Sequence, residues 1–350
     1  MAYTTIKKSS DYFNTKLYTG DGSSSRSITG VNFQPDWTWV KSRNSADYDH
    51  MVTDVVRGTP KMLKTNSTAA EAEYSAGGIG SFDSDGFTIA AGSSNNTNMN
   101  NNTTTYVGWN WKANGAGSAN TDGSISSTVS ANTTSGFSIV SFTGTGSTAT
   151  VGHGLGVTPK MFIVKNRSIS ELWRPYHVAL GGGQALALNA TNATDTDASY
   201  WSNTNPTSSV FTVGTNTGTN GSGNSMIAYC FADVQGYSKF GSYTGNGSTD
   251  GTFVYTGFKP AFVLWKRTED AGYDWDLYDT ARDTHNVAFK ELIPNGSGAE
   301  SSSTVLSLDI LSNGFKLRTS NGNGNDSGKP YIYMAFAEQP LVGDNPATAR

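Results

Sequence analysis

The residues best suited to chemistry lie in the most charged stretches. Asp54-Val-Val-Arg57 and Asp279-Thr-Ala-Arg282 each set a carboxylate and a guanidinium three positions apart. Four residues before each Asp stand His50 and Trp275; a third such place has Trp173 before His177, with Leu180 where the Arg would be. Asp-x-x-Arg could be a functional ion pair. The favoured reading is structural, a strand-end turn worth about 0–1 kcal/mol if exposed. Tyr273, Asp274, Trp275 and Asp276 set aromatic rings beside acids, a combination that binds sugars, since a ring stacks on a C–H face and acids accept hydroxyls. Tyr200-Trp201, in a polar stretch with Asn203 and Asn205, is the best candidate for an exposed aromatic pair. Trp173 is a further sugar-binding candidate, and a core role is the competing reading for each Trp.

Hydrolysis of a glycan needs two carboxyls about 5–9 Å apart with separated pKa values. The acids here stand mostly in turn-like sequence. There is no Gly-x-Ser-x-Gly elbow, no His-Glu-x-x-His helix and no phosphate loop ending in Gly-Lys-Ser/Thr. Asp195-Thr-Asp197 and Asp274-Trp-Asp276 could ligate Ca²⁺, but neither continues into a Ca²⁺ loop. His153 between glycines reads as a turn, and Cys230 inside an apolar run reads as an inert thiol. No catalytic residue, metal or cofactor is expected.

What positions these residues is a threefold repeat. Tyr18-Thr-Gly-Asp-Gly-Ser23 recurs as Phe142-Thr-Gly-Thr-Gly-Ser147 and Tyr243-Thr-Gly-Asn-Gly-Ser248. Pro35 to Lys41 recurs as Pro159 to Lys165 and Pro260 to Lys266, each Pro, five residues, Lys, with Arg43, Arg167 or Arg267 just after. Both motifs shift by 124 and then by 101 residues. An Asn follows at Asn66, Asn189 and Asn295, the last after a four-residue insertion. Each copy closes on an apolar octamer: Tyr106–Ala113, Met226–Asp233 and Tyr331–Glu338.

The expected organisation is a 1–11 extension and a first module at 12–113. A flexible Gly/Ser/Thr/Asn linker at 114–135 leads to a second module at 136–233. A third at 236–338 packs rigidly on the second, and 339–350 is a tail. At about 100 residues each module can hold its own core. The octamers read as strands buried on both faces, the Asp-Gly and Asn-Gly at 85–86 and 313–314 as turns with Gly at positive φ. Thr284 to Leu292 is the nearest approach to a helical turn. The fold class is all-β, three tandem β-sandwich modules of jelly-roll or concanavalin-like type.

Gly, Ser, Thr and Asn number 40, 42, 43 and 30 of 350 residues, which leaves disorder or a turn-rich β protein; 40 aromatics favour the second. A net charge of −4 argues against nucleic acid, one Cys against a disulfide framework, and Met1 to Ser10 lack a signal-peptide core. No run approaches the ~20 apolar residues of a membrane helix, so no membrane insertion is expected.

Pro35-Asp-Trp-Thr-Trp-Val-Lys-Ser-Arg-Asn44 with Asp54-Val-Val-Arg-Gly58 resembles a module of virion structural proteins in tailed phages of marine bacteria. Gly136 to Lys165, and Gly236 to Gly245 through Phe258-Lys-Pro-Ala-Phe262, are similar to the same group. His177 and Leu180 depart from it. The resemblance implies a bacteriophage virion protein assembled in the host cytoplasm, a tail fibre or similar appendage, with other virion proteins as partners. It also implies a homo-oligomer, trimer favoured, and non-enzymatic host attachment through a surface glycan. A capsid-surface or tail-assembly protein is the first alternative, a glycan depolymerase the second.

Overall fold

The computed structural model describes residues 3–92, 99–342 and 346–348. Residues 1–2 of the expected extension, 93–98 of the first repeat, and 343–345 and 349–350 of the expected tail lie outside the described residues.

The fold is all-β and sandwich-like, with antiparallel sheets. Each repeat contributes an inner and an outer sheet. The first inner sheet orders Phe13–Thr19, Thr105–Trp111, Trp37–Ser42 and Met51–Asp54. The second orders Phe137–Thr143, Ser225–Phe231, Met161–Asn166 and Arg174–His177 in the same sequence. The third repeats it with Ser238–Thr244, Pro330–Pro340, Phe258–Arg267 and Trp275–Asp279. The outer sheets are built on Arg26–Thr29 with Gly86–Ile89, Ala149–Gly152 with Val210–Val213, and Phe253–Tyr255 with Gly314–Leu317.

Strand periodicity explains the double burial. In the octamers, Val107, Trp109 and Trp111 face one way, as do Ile227, Tyr229 and Phe231, and Ile332, Met334 and Phe336. These nine side chains join Trp37, Trp39, Met161, Ile163, Phe262 and Leu264 in one apolar core shared by all three repeats. The alternate residues face their own outer sheets, giving a separate apolar layer in each repeat. The equivalent rings Trp111, Phe231 and Phe336 meet near the centre, with centroids 5.6 Å apart for Trp111–Phe336 and 6.0 Å for Phe231–Phe336. The boundaries 12–113, 136–233 and 236–338 thus mark sequence repeats whose inner faces complete one another.

Three expectations need correction. Residues 114–135 are not a tether: Ser118–Asn120 and Ser127–Asn132 extend the second inner sheet, and Ile125 and Val129 are buried in that repeat's layer. Apolar residues two or more apart among the polar ones were enough to anchor it. The N-terminal segment is also built in, with Ile6 in the shared core and Ser9–Asp11 a 3-10 turn. At the other end, Gln339 and Pro340 still pair with Lys259 and Phe258. Thr284 to Leu292 forms no helix; Ala288 and Glu291 make isolated bridges to Leu308 and Ser301. The short helices are Ala198–Trp201 and Thr217–Asn220.

Pro260 lies inside its strand at a register shift, where a missing N–H costs no regular pair. Gly314 is required by close approach rather than by φ: a Cβ there would sit 2.0 Å from the Val254 carbonyl oxygen. The hexamer turn has a similar demand. A Cβ on Gly20, Gly144 or Gly245 would lie 2.1, 2.3 or 2.2 Å from a backbone carbonyl oxygen of the loop preceding the closing strand.

Candidate functional site

The recurring motifs converge on the junctions between repeats, in cyclic order. The Trp173 indole N–H donates to the Lys64 carbonyl, 2.8 Å, and that of Trp275 donates to the Ala187 carbonyl, 2.8 Å. Lys64 and Ala187 each stand two residues before the repeated Asn, as does Ile293. His50 completes the cycle in kind: its Nε2 neighbours the Ile293 carbonyl without closing a hydrogen bond of normal geometry. The Asn itself holds the ring residue, since Asn66, Asn189 and Asn295 accept from the backbone N–H of His50, Trp173 and Trp275, each at 2.9 Å.

The Pro-x₅-Lys spacing follows from strand period. Residues 37, 39 and 41 share a face, so the Lys ends the row that lines the shared core. Lys41 donates to the Ser297 carbonyl of the third repeat and Lys165 to the Thr68 carbonyl of the first, at 2.8 and 2.9 Å. Lys266 donates to Tyr273 O within its own repeat, 2.7 Å. Burial lowers all three ammonium pKa values to about 8.

Asp54, Arg57, Asp279 and Arg282 are not the exposed pairs considered from sequence; all four side chains are fully buried. Each Arg is ion-paired to its Asp. Arg57 also reaches Glu71 at 3.1 Å, and Arg282 reaches Glu300 at 3.2 Å. Those glutamates are gripped by both arms of a neighbour's guanidinium, Arg167 on Glu71 and Arg43 on Glu300, at 2.8–2.9 Å. The neighbour's octamer supplies a last donor: Tyr229 Oη to Asp54 at 2.7 Å, Trp109 Nε1 to Asp279 at 3.0 Å. Buried ions are tolerated only when paired and hydrogen-bonded in this way.

The third junction replaces every member. His177, Leu180 and Thr194 stand where Asp, Arg and Glu stand elsewhere, and Met334 replaces the Tyr or Trp donor. His177 Nε2 donates to Tyr333 O at 3.3 Å, and burial lowers its pKa to about 4. Leu180 packs on the shared core. Thr268 holds the place of Arg43 and Arg167, its carbonyl accepting from Thr194 N at 2.9 Å as theirs accept from Glu300 N and Glu71 N. Arg267, one residue earlier, pairs with Asp270 and Asp326 of its own repeat at 2.5 and 3.0 Å.

The sugar-binding candidates do not form an exposed site. Trp173, Trp275, Tyr200 and Trp201 are buried. Trp201 donates to Gln184 O at 3.1 Å; Tyr200 donates to Asp195 at 2.5 Å and lies under Arg174, 4.4 Å away. A short helix draws the pair inward, where 200–201 looked like polar loop. Asp197 caps that helix through Ser199 N, so both acids of Asp195-Thr-Asp197 are engaged in local hydrogen bonds. Tyr273 is half-buried beneath Arg267, 3.9 Å from its ring, and Asp274 accepts from Asn295 at 2.7 Å. Asp276 is fully buried. Neither of its oxygens meets a donor among the described residues, and the Glu291 carboxyl lies beside it. Burial, then Glu291 and Asp274, push its pKa well up. Among the described residues, no three His, Cys, Asp or Glu side chains gather where they could hold a metal. His153 is buried and accepts from Leu155 N, and Cys230 packs in the second repeat's layer.

One open cleft has a different character. About 480 Å³ in volume, it is lined by Tyr3, Asp233, Gln235, Lys239 and Tyr255, with Gly257 at its floor. Tyr3 Oη donates to Gly257 O at 2.7 Å and lies in reach of the Tyr255 hydroxyl and the Gln235 side chain. Asp233 is paired with Lys239 at 2.9 Å. Tyr255 and Phe253 are 55% and 44% exposed.

A family model described as a domain of unknown function, DUF7483, matches residues 8–340. The chain belongs to the DUF7483 family. No curated protein matches the sequence. The DUF7483 match spans all three repeats and both crossings between them, so the junctions and all of the shared core but Ile6 lie within one family domain. Sequence reading missed Glu71, Glu300 and the cleft. The glutamates carried a signal, since each stands five residues after its Asn, as Thr194 does. The cleft carried a fainter one, two aromatics in Phe253-Val-Tyr255 where the other copies have Ser27, Thr29, Thr150 and Gly152.

Proposed function

We propose that the protein is a non-enzymatic structural component of a phage virion, an appendage of tail-fibre type that attaches to a host-surface glycan. The observation that carries the structural part is the use made of the repeated motifs. Two of the three repeated Lys, two of the ring residues that their own repeat's Asn positions, and the Asp-x-x-Arg networks of two junctions hold one repeat to the next. The residues on which the virion resemblance rests are thus architectural. A body built this way keeps its shape outside a cell without disulfides, which suits a particle made in a reducing cytosol.

Reconstruction of the particle tests the reading. Density for this chain on a host-facing appendage is the expected result; density on capsid faces, or loss of the chain on mild washing with infectivity unchanged, overturns it. Incubation with host polysaccharide should release no new reducing ends. Release of such ends would make the protein a depolymerase instead.

A further inference from the structure

The three repeats act as internal controls for one another, because a side chain the fold requires should recur. The outer strand Phe253–Tyr255 pairs with Gly314–Leu317 as Arg26–Thr29 pairs with Gly86–Ile89 and Ala149–Gly152 with Val210–Val213. The inward position recurs as Ile28, Val151 and Val254, all buried. The outward positions flanking it are Ser27 and Thr29, Thr150 and Gly152, but Phe253 and Tyr255 in the third repeat. Two repeats thus fold with small residues at places where the third turns two aromatic rings to solvent. Burying an aromatic side chain is worth about 1.5–3 kcal/mol, and with 44% and 55% of their surface exposed Phe253 and Tyr255 forgo about half of it.

We infer that Phe253 and Tyr255, with Tyr3 and Gln235, form a binding site for a neutral oligosaccharide. The inference rests on the attachment part of the function proposed above and gives that attachment a place. Residues i and i+2 of a strand lie on one face about 6.6 Å apart, so the two rings make a platform longer than one sugar ring. The cleft at its end offers two phenol hydroxyls, the Gln235 amide and the Asp233 carboxylate to sugar hydroxyls, around aromatic faces suited to C–H contact. Asp233 is already neutralised by Lys239, so the cleft presents balanced charge and favours a neutral sugar over a uronate or sulfated one. A protein partner fits less well, because a stable interface buries about 800 Å² per partner and this feature is a small concave one.

The test uses the full chain and saturation-transfer NMR with four probes: cello-, chito- and mannohexaose as neutral chains and oligoalginate as the acidic one. At least one neutral hexamer should bind and oligoalginate should not. The double variant Phe253→Ser, Tyr255→Thr carries the residues of the first repeat and should bind the same hexamer more than about tenfold more weakly. Its unfolding temperature should match the parent's, since both side chains point outward. Gln235→Ala should weaken binding with the fold equally intact. Equal affinity in the double variant overturns this site while leaving glycan attachment standing. Preference for oligoalginate, or no binding of any neutral hexamer, overturns the proposed ligand class whatever the particle reconstruction shows.

Discussion

At the scale of single residues, Asp276 is a fully buried acid neither of whose oxygens meets a donor among the described residues. It stands where the first repeat has Met51, and Glu291 stands where that repeat has Met62. The fold therefore needs no acid there. Its raised pKa gives a defined pH dependence. An unfolded Asp releases its proton near pH ~4, while the folded chain keeps it to higher pH. From about pH 4 upward the native state then binds more protons than the unfolded state, and stability falls as pH rises. Asp276→Asn removes this slope. Chemical denaturation should show a gain that is absent below about pH 4 and reaches roughly 1–4 kcal/mol at high pH. A pH profile parallel to the parent's would contradict the assignment.

At the scale of elements, the charged junctions behave as sets. Arg57→Leu leaves Asp54 and Glu71 buried beside a lost partner and should cost about 3–5 kcal/mol. Leu180 is tolerated at the equivalent place because His177, Thr194, Thr268 and Met334 changed with it. Asp54→His, Arg57→Leu, Glu71→Thr, Arg167→Thr and Tyr229→Met together should therefore be less destabilising than Arg57→Leu alone. Urea unfolding of both variants measures this; simple additivity would show that the junction is not a coupled network. The segment 114–135 makes its own prediction. Its two strands lie on a sheet edge with Val129 in the core, so limited proteolysis of the native chain should spare it. Cleavage there before any other site would restore the tether reading.

For the whole molecule, the shared core decides cooperativity. Removing one repeat uncovers the inner faces of the other two, including Trp111, Phe231 or Phe336. Calorimetry on the full chain should give one unfolding transition, and residues 136–234 alone should lack a cooperative one. Three separate transitions would mean that the outer layers suffice.

The sequence by itself determined the strand content, the threefold repeat and the chemistry of its recurring letters, because period-two alternation and fixed offsets are local properties of the chain. It showed that Lys41, Lys165 and Lys266 are equivalent, and that His177 and Leu180 break a pattern. It misplaced Tyr200 and Trp201, since a four-residue helix in polar sequence has no readable period. It also took 114–135 for a tether, since an edge strand with few apolar residues looks like linker. Only the tertiary structure decided that the inner faces meet in one core, and that an Asp of one repeat answers a Tyr or Trp of the next. Those contacts join residues far apart in sequence, 175 positions for Tyr229 to Asp54 and 170 for Trp109 to Asp279, and no local pattern encodes which repeat lies beside which.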